Sequence, residues 1–341
     1  MNSITENNRA YLEDLLRMNQ DSLFQHVLTS FLELKSKKNF SMVLDKEFIY
    51  IKGTVPVMIV THLDTFHERG YGLYDIDPHK APAYDEDKII CFDLKHRLMW
   101  SPEGLGADDR AGVFMAMMLL KKEEEEIPSF LFTRDEEIGG LGAKAFVERY
   151  KIGDIPIDDL KYIMQLDRMG HRDCVFYSCD NFKFKKYVES FGYVTTKGSF
   201  SDISVICPSI GIAGVNLSVG YYDEHTFAEH LGFNDLDDNY LRVESMIEDA
   251  KNIKNVYKYI PKKTKVKYLE DYDKNYTRTI DHKNSNYDWY DYDNYESYKD
   301  DIELPTPCDL CGELMFEEDI AEIDPSWGVV CCHPCKRDFE I

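Results

Sequence analysis

Five short segments of the chain contain the residue types that bind divalent metals or transfer protons. Each segment places histidines or carboxylates at the end of an apolar run or beside glycines. The residues are His62 and Asp64 in THLDT, Asp108 and Asp109 in GLGADDRAG, Glu136 and Glu137 in RDEEIGG, Asp167 in YIMQLDRMG, and His225 in VGYYDEHTFAEH. Any one segment alone fits an ordinary loop or a buried structural residue, but the five together indicate a functional site.

This combination of side chains suits a site for two metal ions. Two imidazoles and three carboxylates can hold two divalent ions if one carboxylate bridges them, so that each ion has one histidine. Two ions ~3.5–4 Å apart lower the pKa of a shared water and polarise a carbonyl group. Hydrolysis also needs a base for the proton of that water. The adjacent Glu136 and Glu137 can divide these tasks, one as a metal ligand and the other as the base.

The five segments accompany predicted strands that alternate with predicted helices along the chain. The strand candidates are PVMIVTHLDT, SFLFT, YIMQLD and GIAGVNLSV, and the helix candidates lie at 111–126, 143–150, 181–191, 201–207 and 237–258. Two helices before residue 40 and hairpins over 40–53 and 83–100 complete the pattern. We therefore predict an α/β fold with a mixed, mostly parallel β-sheet and helices on both faces. In such folds ligands bind at the carboxyl ends of the strands.

The order of these motifs resembles that of a known enzyme superfamily. The series HLD, GADDRAG, RDEEIGG, LDRMG and HTFAE, between about residues 50 and 235, resembles the co-catalytic zinc exopeptidases. That superfamily contains peptidase T, the bacterial leucyl aminopeptidases and the tetrahedral aminopeptidases. The resemblance implies that His62 and Asp167 bind one metal ion and that Glu137 and His225 bind the other. It implies that Asp108 bridges the two ions.

The same resemblance implies roles for two neighbouring carboxylates. Glu136 would be the general base and later the acid that protonates the departing amine, and Asp64 would orient His62. A cis peptide bond is expected between Asp108 and Asp109. Zinc is the expected metal in the active site, with cobalt or manganese as alternatives.

The last motif departs from the pattern of the superfamily. HTFAE has Phe227 where a proline is usual, although Glu229 stands at the expected position. His230 competes with His225 as the final ligand. Only 57 residues separate Asp167 from His225, so the dimerisation lid that the peptidase T branch carries in this interval is expected to be missing.

Three further residues near the motifs have open roles. Without the lid, Tyr221 or Tyr222 is a candidate for stabilising the oxyanion of the reaction. Asp202, in SFSDISV, corresponds to an acidic turn close to the site in relatives. Its side chain can support the site from behind, or it can cap the helix that follows.

Composition divides the chain into three parts. We predict a metallopeptidase-like catalytic domain over residues 1–258, a flexible linker over 259–305 and a zinc-ribbon-like module over 306–341. The linker is rich in Tyr, Asp, Asn and Lys and has almost no aliphatic residues, so it cannot bury enough surface to fold. It would act as a tether or, alternatively, as an aromatic interaction segment.

The C-terminal module has the pattern C-x2-C-x20-C-x2-C, formed by Cys308, Cys311, Cys332 and Cys335. This spacing is typical of a closed, structural zinc site with four thiolates. Cys331 or His333 could replace one of these ligands. The module resembles zinc ribbons and treble clefs, and the acidic stretch between its cysteine pairs favours a protein partner over nucleic acid.

Charge and hydropathy exclude some classes of partner. The formal net charge of −23 opposes non-specific binding to nucleic acid and to anionic membranes. No apolar run approaches the ~20 residues of a membrane span. The first residues, MNSITENNRAYLEDLL, have neither the basic start nor the apolar stretch of a secretion signal, which predicts a cytoplasmic protein.

These observations predict a metal-dependent hydrolase of amide bonds, with an aminopeptidase of short peptides as the first choice. A deacylase or carboxypeptidase-like hydrolase of N-acyl small molecules would use the same metal core. A non-catalytic zinc-binding adaptor is the alternative from another class of protein. The presence of all five expected ligands together with Glu136 argues against the adaptor, since a pseudoenzyme would be expected to lack at least one.

Overall fold

The computed structural model describes residues 3–35, 41–69, 82–122, 126–157 and 159–262, together with two short strands near the C-terminus. The chain divides into two compact units, Met1–Val266 and Lys267–Ile341. Within the described ranges, the first unit contains eight α-helices and twelve β-strands. The four cysteines of the predicted zinc module lie outside the described residues, and the predicted domain boundaries stay a prediction.

The helices and strands have the following bounds. The helices are α1 (Ile4–Asn7), α2 (Arg9–Arg17), α3 (Gln20–Lys35), α4 (Ala107–Leu120), α5 (Leu141–Lys151), α6 (Phe182–Glu189), α7 (Asp202–Ile210) and α8 (Phe233–Ala250). The strands of the first unit are β1 (Ser41–Leu44), β2 (Phe48–Lys52), β3 (Val55–His62), β4 (Cys91–Asp93), β5 (Leu98–Trp100), β6 (Pro128–Thr133), β7 (Tyr162–Arg168), β8 (Asp173–Val175), β9 (Val194–Thr195), β10 (Gly214–Ser218), β11 (Tyr221–Tyr222) and β12 (His230–Gly232). In the second unit, β13 (Thr306–Pro307) and β14 (Leu314–Met315) pair antiparallel.

The main sheet has eight strands in the order β1-β2-β6-β3-β7-β10-β8-β9. The four central strands β6, β3, β7 and β10 run parallel, while β2 pairs antiparallel with β6, and β8 pairs antiparallel with β10. The carboxyl ends of the central strands therefore meet at one edge of the sheet. This topology confirms the predicted mixed, mostly parallel sheet.

Helices cover both faces of the sheet because successive side chains of a strand point to opposite sides. In β6, Phe130 and Phe132 belong to a core that includes α2, α3, α4 and α8. Leu131, between them, belongs to a second core with α5 and α7. All three side chains are buried. A continuous apolar run is what a strand covered on both faces requires.

A smaller antiparallel sheet with the order β11-β12-β5-β4 holds the segment that contains His225. This segment connects β11 to β12, and β12 pairs with β5. Strand β5 leads directly into the glycine-rich segment before Asp108. The pairing of β12 with β5 therefore places two motifs that are distant in sequence beside each other.

Two of the helices depart from their predicted bounds. Asp108 and Asp109 at the start of α4 have non-helical backbone angles, so regular helix begins close to the predicted Ala111, but α4 ends at Leu120, where the prediction was 126. Pro128 then starts β6. Helix α8 runs from Phe233 to Ala250, where the prediction was 237–258. Burial of Phe233 and Leu236 extends its apolar face toward the start. After α8 the chain forms isolated β-bridges, such as the one between Lys258 and Ile212.

None of the helices in the described ranges combines the length and the apolar character that a membrane span needs.

Candidate active site

The five predicted metal ligands converge at the carboxyl ends of the central strands. His62 Nε2 lies 3.1 Å from Asp108 Oδ1 and 3.3 Å from Asp167 Oδ1. His225 Nε2 lies 3.1 Å from Glu137 Oε1 and 3.3 Å from Asp108 Oδ2. The two carboxylate oxygens of Asp108 therefore face two different histidines. The peptide bond that follows Asp108 is cis, as the resemblance implied.

Two overlapping groups among the described residues bring three ligand atoms within 4.8 Å of one another: His62, Asp109 and Asp167, and His62, Asp108 and Glu137. The first group includes Asp109, which was not predicted as a metal ligand. Both of its oxygens already accept backbone hydrogen bonds, from the amides of His62 at 3.1 Å and Gly112 at 3.1 Å. Asp109 therefore ties the start of α4 to the end of β3, which leaves Asp108 to face the histidines.

The electrostatics of this cluster favour the binding of cations. Burial raises the pKa of Asp167 to about 6, and the nearby charge of Asp108 adds to this effect. Burial lowers the pKa of the histidines, but contacts with carboxylates outweigh it, so that the pKa of His62 lies well above its usual value and that of His225 is about 11. Carboxylates that are buried close together attract a positive charge, because it relieves their mutual repulsion.

The donor atoms also suit particular metals. Imidazole nitrogens and carboxylate oxygens bind zinc, cobalt and manganese, whereas a site of thiolates would select softer metals. Asp108 has one oxygen directed at each histidine, which is the arrangement that a bridging ligand needs. The residues present therefore fit a pair of divalent ions.

Asp64 holds the two glutamates in place through their backbone amides. The amide of Glu136 donates to Asp64 Oδ1 at 3.0 Å, and the amide of Glu137 donates to Asp64 Oδ2 at 3.1 Å. Asp64 Oδ1 is also 3.3 Å from Nδ1 of His62. The carboxylate of Asp64 thus contacts His62 and also holds the backbone of Glu136 and Glu137.

Glu136 lies in a buried, acidic environment. Glu136 is only 9% exposed. Burial raises its pKa well above the usual value, and the charges of Asp167, Asp202 and Glu137 add to the effect. A raised pKa makes a carboxylate a stronger base.

The charge of Asp202 contributes to the raised pKa of Glu136. Its side chain is fully buried, and its Oδ2 accepts a short hydrogen bond from the hydroxyl of Thr133. Within the described part of the chain, Oδ1 has no hydrogen-bond partner. Burial raises the pKa of Asp202 to about 7. The alternative role as a helix cap is wrong, because Ser201 occupies the cap position and Asp202 is the first residue of α7.

Three neighbours hold Asp167 from different elements. The amide of Asp167 donates to Asn216 Oδ1 at 3.0 Å, and Gln165 Nε2 donates to Asp167 Oδ2 at 3.0 Å. The hydroxyl of Tyr221 donates to Asp167 Oδ1 at 3.2 Å. Gln165 could have been found from its position two residues before Asp167 on the same strand, and Asn216 from its place inside an apolar strand.

Tyr222 is directed away from the cluster. Its hydroxyl donates to Asp235 Oδ2 at 2.6 Å, on the first turn of α8. Of the two tyrosines considered as oxyanion stabilisers, only Tyr221 reaches the metal-binding cluster. There its hydroxyl donates to Asp167 Oδ1, so its contact in the cluster is with that carboxylate.

Glu229 positions the backbone that carries Asp108. Its buried carboxylate accepts hydrogen bonds from the amides of Gly106 at 2.7 Å and Asp108 at 2.9 Å. His67 Nε2 lies 2.7 Å from the same carboxylate. His67 was not predicted, because it lies outside the motifs and meets Glu229 only through the fold.

The two candidate histidines of the last motif lie in different surroundings. His225 stacks on Phe66 with ring centroids 4.7 Å apart and reaches the cluster. His230 instead stacks on Tyr222, and its Nδ1 lies 3.1 Å from the carbonyl oxygen of Ala228. Phe227, at the position where proline is usual, is 63% exposed.

Comparison with known proteins places the fold among aminopeptidases. No family model matches the sequence, and no curated protein matches it. Among solved structures, aminopeptidase PepT from Bacillus cereus matches with a TM-score of 0.51 and 17% identity, over 72% of this chain and 98% of that chain. A tripeptidase from Staphylococcus aureus matches with a TM-score of 0.51 and 15% identity, over 71% and 97%.

A TET aminopeptidase from a marine sediment archaeon of the Thaumarchaeota also matches, with a TM-score of 0.51 and 12% identity, over 72% of this chain and 99% of that chain. These structural matches show that the chain has the α/β aminopeptidase fold, and at such low identities they show the fold alone.

Ionisation of Asp202 should destabilise the folded protein as the pH rises. Its pKa is about 7 in the folded state against an ordinary value of 3.8, so the folded state keeps a proton that the unfolded state has lost. Asp202→Asn removes this titration and keeps an acceptor for Thr133. Between about pH 5 and pH 8 the variant should gain about 2–3 kcal/mol relative to the wild type. Urea unfolding with a chelator present measures this, and a difference that does not change with pH would contradict it.

Proposed function

We propose that the protein is a metal-dependent hydrolase of amide bonds and that it acts as an aminopeptidase on short peptides. The observation that carries the proposal is the arrangement around Asp108, whose two oxygens face His62 and His225 separately. The buried Glu136 lies next to Glu137, which contacts the second of these histidines. This arrangement combines a bridging ligand with a nearby base, the two features that hydrolysis by a metal-activated water requires.

We assign the ligands according to these contacts. His62 and Asp167 would hold one ion, Glu137 and His225 the other, and Asp108 would bridge them. Zinc suits the donor set, and cobalt or manganese would fit it as well. When bound, such ions lower the pKa of a water and polarise the scissile carbonyl group.

The carboxyl group of Glu136 handles the proton in this proposal. It accepts the proton of the attacking water and returns it to the nitrogen of the departing amine. Asp64 holds the amides of Glu136 and Glu137, so the base and its neighbouring ligand keep a constant separation. Burial raises the pKa of Glu136, which makes its carboxylate a stronger base for the first transfer.

The proposed substrate class rests on the similar solved structures and on the proposed ions. A free amino terminus close to those ions suits an exopeptidase. The solved structures with this fold include aminopeptidases and a tripeptidase. Activity on peptides with free amino termini, and none on the same peptides with blocked termini, is expected; the reverse would indicate a deacylase of N-acyl substrates.

The C-terminal cysteines form a separate part of the proposal. Cys308, Cys311, Cys332 and Cys335 would bind one structural zinc ion, because their spacing is that of a four-thiolate site. In a unit of this size, metal binding would supply much of the folding free energy. We propose a protein as the partner of this module.

Replacing Glu136 with alanine should separate proton transfer from metal binding. The Glu136→Ala variant should retain both active-site ions and lose turnover by a factor of about 10² or more. Initial rates on aminoacyl chromogenic substrates and metal analysis of the purified protein measure the two effects. Glu148→Ala, on the exposed face of α5, is the matched control and should keep full activity.

Loss of the ions in Glu136→Ala would mean that the roles of Glu136 and Glu137 are exchanged. Full activity with the ions retained would show that Glu136 does not transfer the proton. A metal-loaded wild type that cleaves neither free nor blocked peptides would overturn the proposed function itself.

Deleting residues 306–341 should change metal content without changing catalysis. The full chain is expected to bind three zinc ions and the truncated chain two, because only the cysteine site is removed. Peptide hydrolysis should remain within about twofold of the wild type, since the catalytic residues all lie in the first unit. Metal analysis and kinetics on both chains test this, and a large loss of hydrolysis would show that the module contributes to the active site.

A further inference from the structure

The connector between α2 and α3, residues 18–19, contacts one of the catalytic segments, and Gln20, the first residue of α3, contacts another. None of these residues is of a type typical of catalysis. We propose that Gln20, at the start of α3, is a positioning residue that holds the segment containing Glu136 in its working conformation. This inference rests on the proposed function, since it assigns Gln20 a part in proton transfer through Glu136.

Gln20 and Asp135 form a reciprocal pair of hydrogen bonds. The backbone amide of Asp135 donates to Gln20 Oε1 at 3.0 Å. Gln20 Nε2 donates to Asp135 Oδ1 at 3.2 Å. A side-chain amide is suited to this double contact because it offers a donor and an acceptor together. Asp135 is thereby held both by its backbone and by its side chain.

The backbone of Asp135 needs this support. Its φ angle is 56°, in the left-handed region that residues other than glycine seldom adopt. Its carbonyl oxygen accepts hydrogen bonds from the amides of Gly140 and Leu141, both at 3.1 Å, and so closes the turn into α5. Any change of conformation at Asp135 would move the next residue, Glu136.

Glu136 is therefore held from two sides. Asp64 binds its backbone amide at 3.0 Å, and Gln20 fixes the residue that precedes it. The carboxyl group of Glu136 must lie within hydrogen-bond distance of the water that it activates. A displacement of about 1 Å in such a group can reduce turnover by up to ~10²-fold.

The same connector is tied to the other catalytic segments by Arg110. The buried guanidinium of Arg110 donates to the carbonyl oxygen of Met18 at 2.9 Å. It also donates to the carbonyl oxygens of Leu63 at 2.7 Å and Asp64 at 3.1 Å. The connector thus has a fixed position relative to the segments that carry His62 and Asp108, and Gln20 transmits that position to Asp135.

The Gln20→Ala variant tests this inference, with Gln25→Ala on the exposed face of the same helix as the matched control. Gln20→Ala should lower kcat about 10-fold or more, while KM, metal content and the midpoint of thermal unfolding stay close to those of the wild type. Amide hydrogen exchange should become faster at Asp135 and Glu136. Gln25→Ala should match the wild type in every measurement.

Two results would overturn the inference. One is a Gln20→Ala variant with unchanged kcat while the wild type hydrolyses peptides. The other is unchanged amide exchange at Asp135 and Glu136, which would show that Gln20 does not hold the segment. If the wild type hydrolyses no peptide, the proposed function fails, and the exchange measurement still decides whether Gln20 holds this turn.

Discussion

The shared position of Asp108 between His62 and His225 is the interaction on which the rest of the site depends. One oxygen of this carboxylate faces each histidine, and two more carboxylates, Asp167 and Glu137, lie on the outer sides. Burying several like charges is unfavourable unless each gains hydrogen bonds or an opposite charge. The parallel sheet allows this by bringing strand ends from distant parts of the chain to one edge, where their side chains can meet cations together.

The carboxylates around this centre are held by partners from separate elements. Asp64 binds the amides of Glu136 and Glu137, Glu229 binds the amide of Asp108, and Asn216 binds the amide of Asp167. Because each bond joins segments that are distant in sequence, the ligand geometry depends on the whole first unit and not on any single loop. Precise positioning of this kind is the main contribution that a protein makes to metal-assisted hydrolysis.

Local patterns predicted most of the fold, and the resemblance of the five motifs to the zinc exopeptidases implied which residues form the cluster. Alternating apolar strands and helices predicted the mixed sheet, and the motif order predicted that His62, Asp108, Glu137, Asp167 and His225 would meet. The start of α8 was misplaced because burial of Phe233 and Leu236 by distant elements extends the helix beyond its local signal. Partners such as His67 and Gln20 could not be predicted, since their contacts cross 162 and 115 residues of sequence.

Anomalous diffraction from crystals of the metal-loaded protein, recorded at the zinc absorption edge, would locate the ions. Two peaks about 3.5–4 Å apart are predicted, with Asp108 bound to both, His62 to one and His225 to the other. A single peak, or two peaks that share no carboxylate ligand, would mean that Asp108 does not bridge two ions.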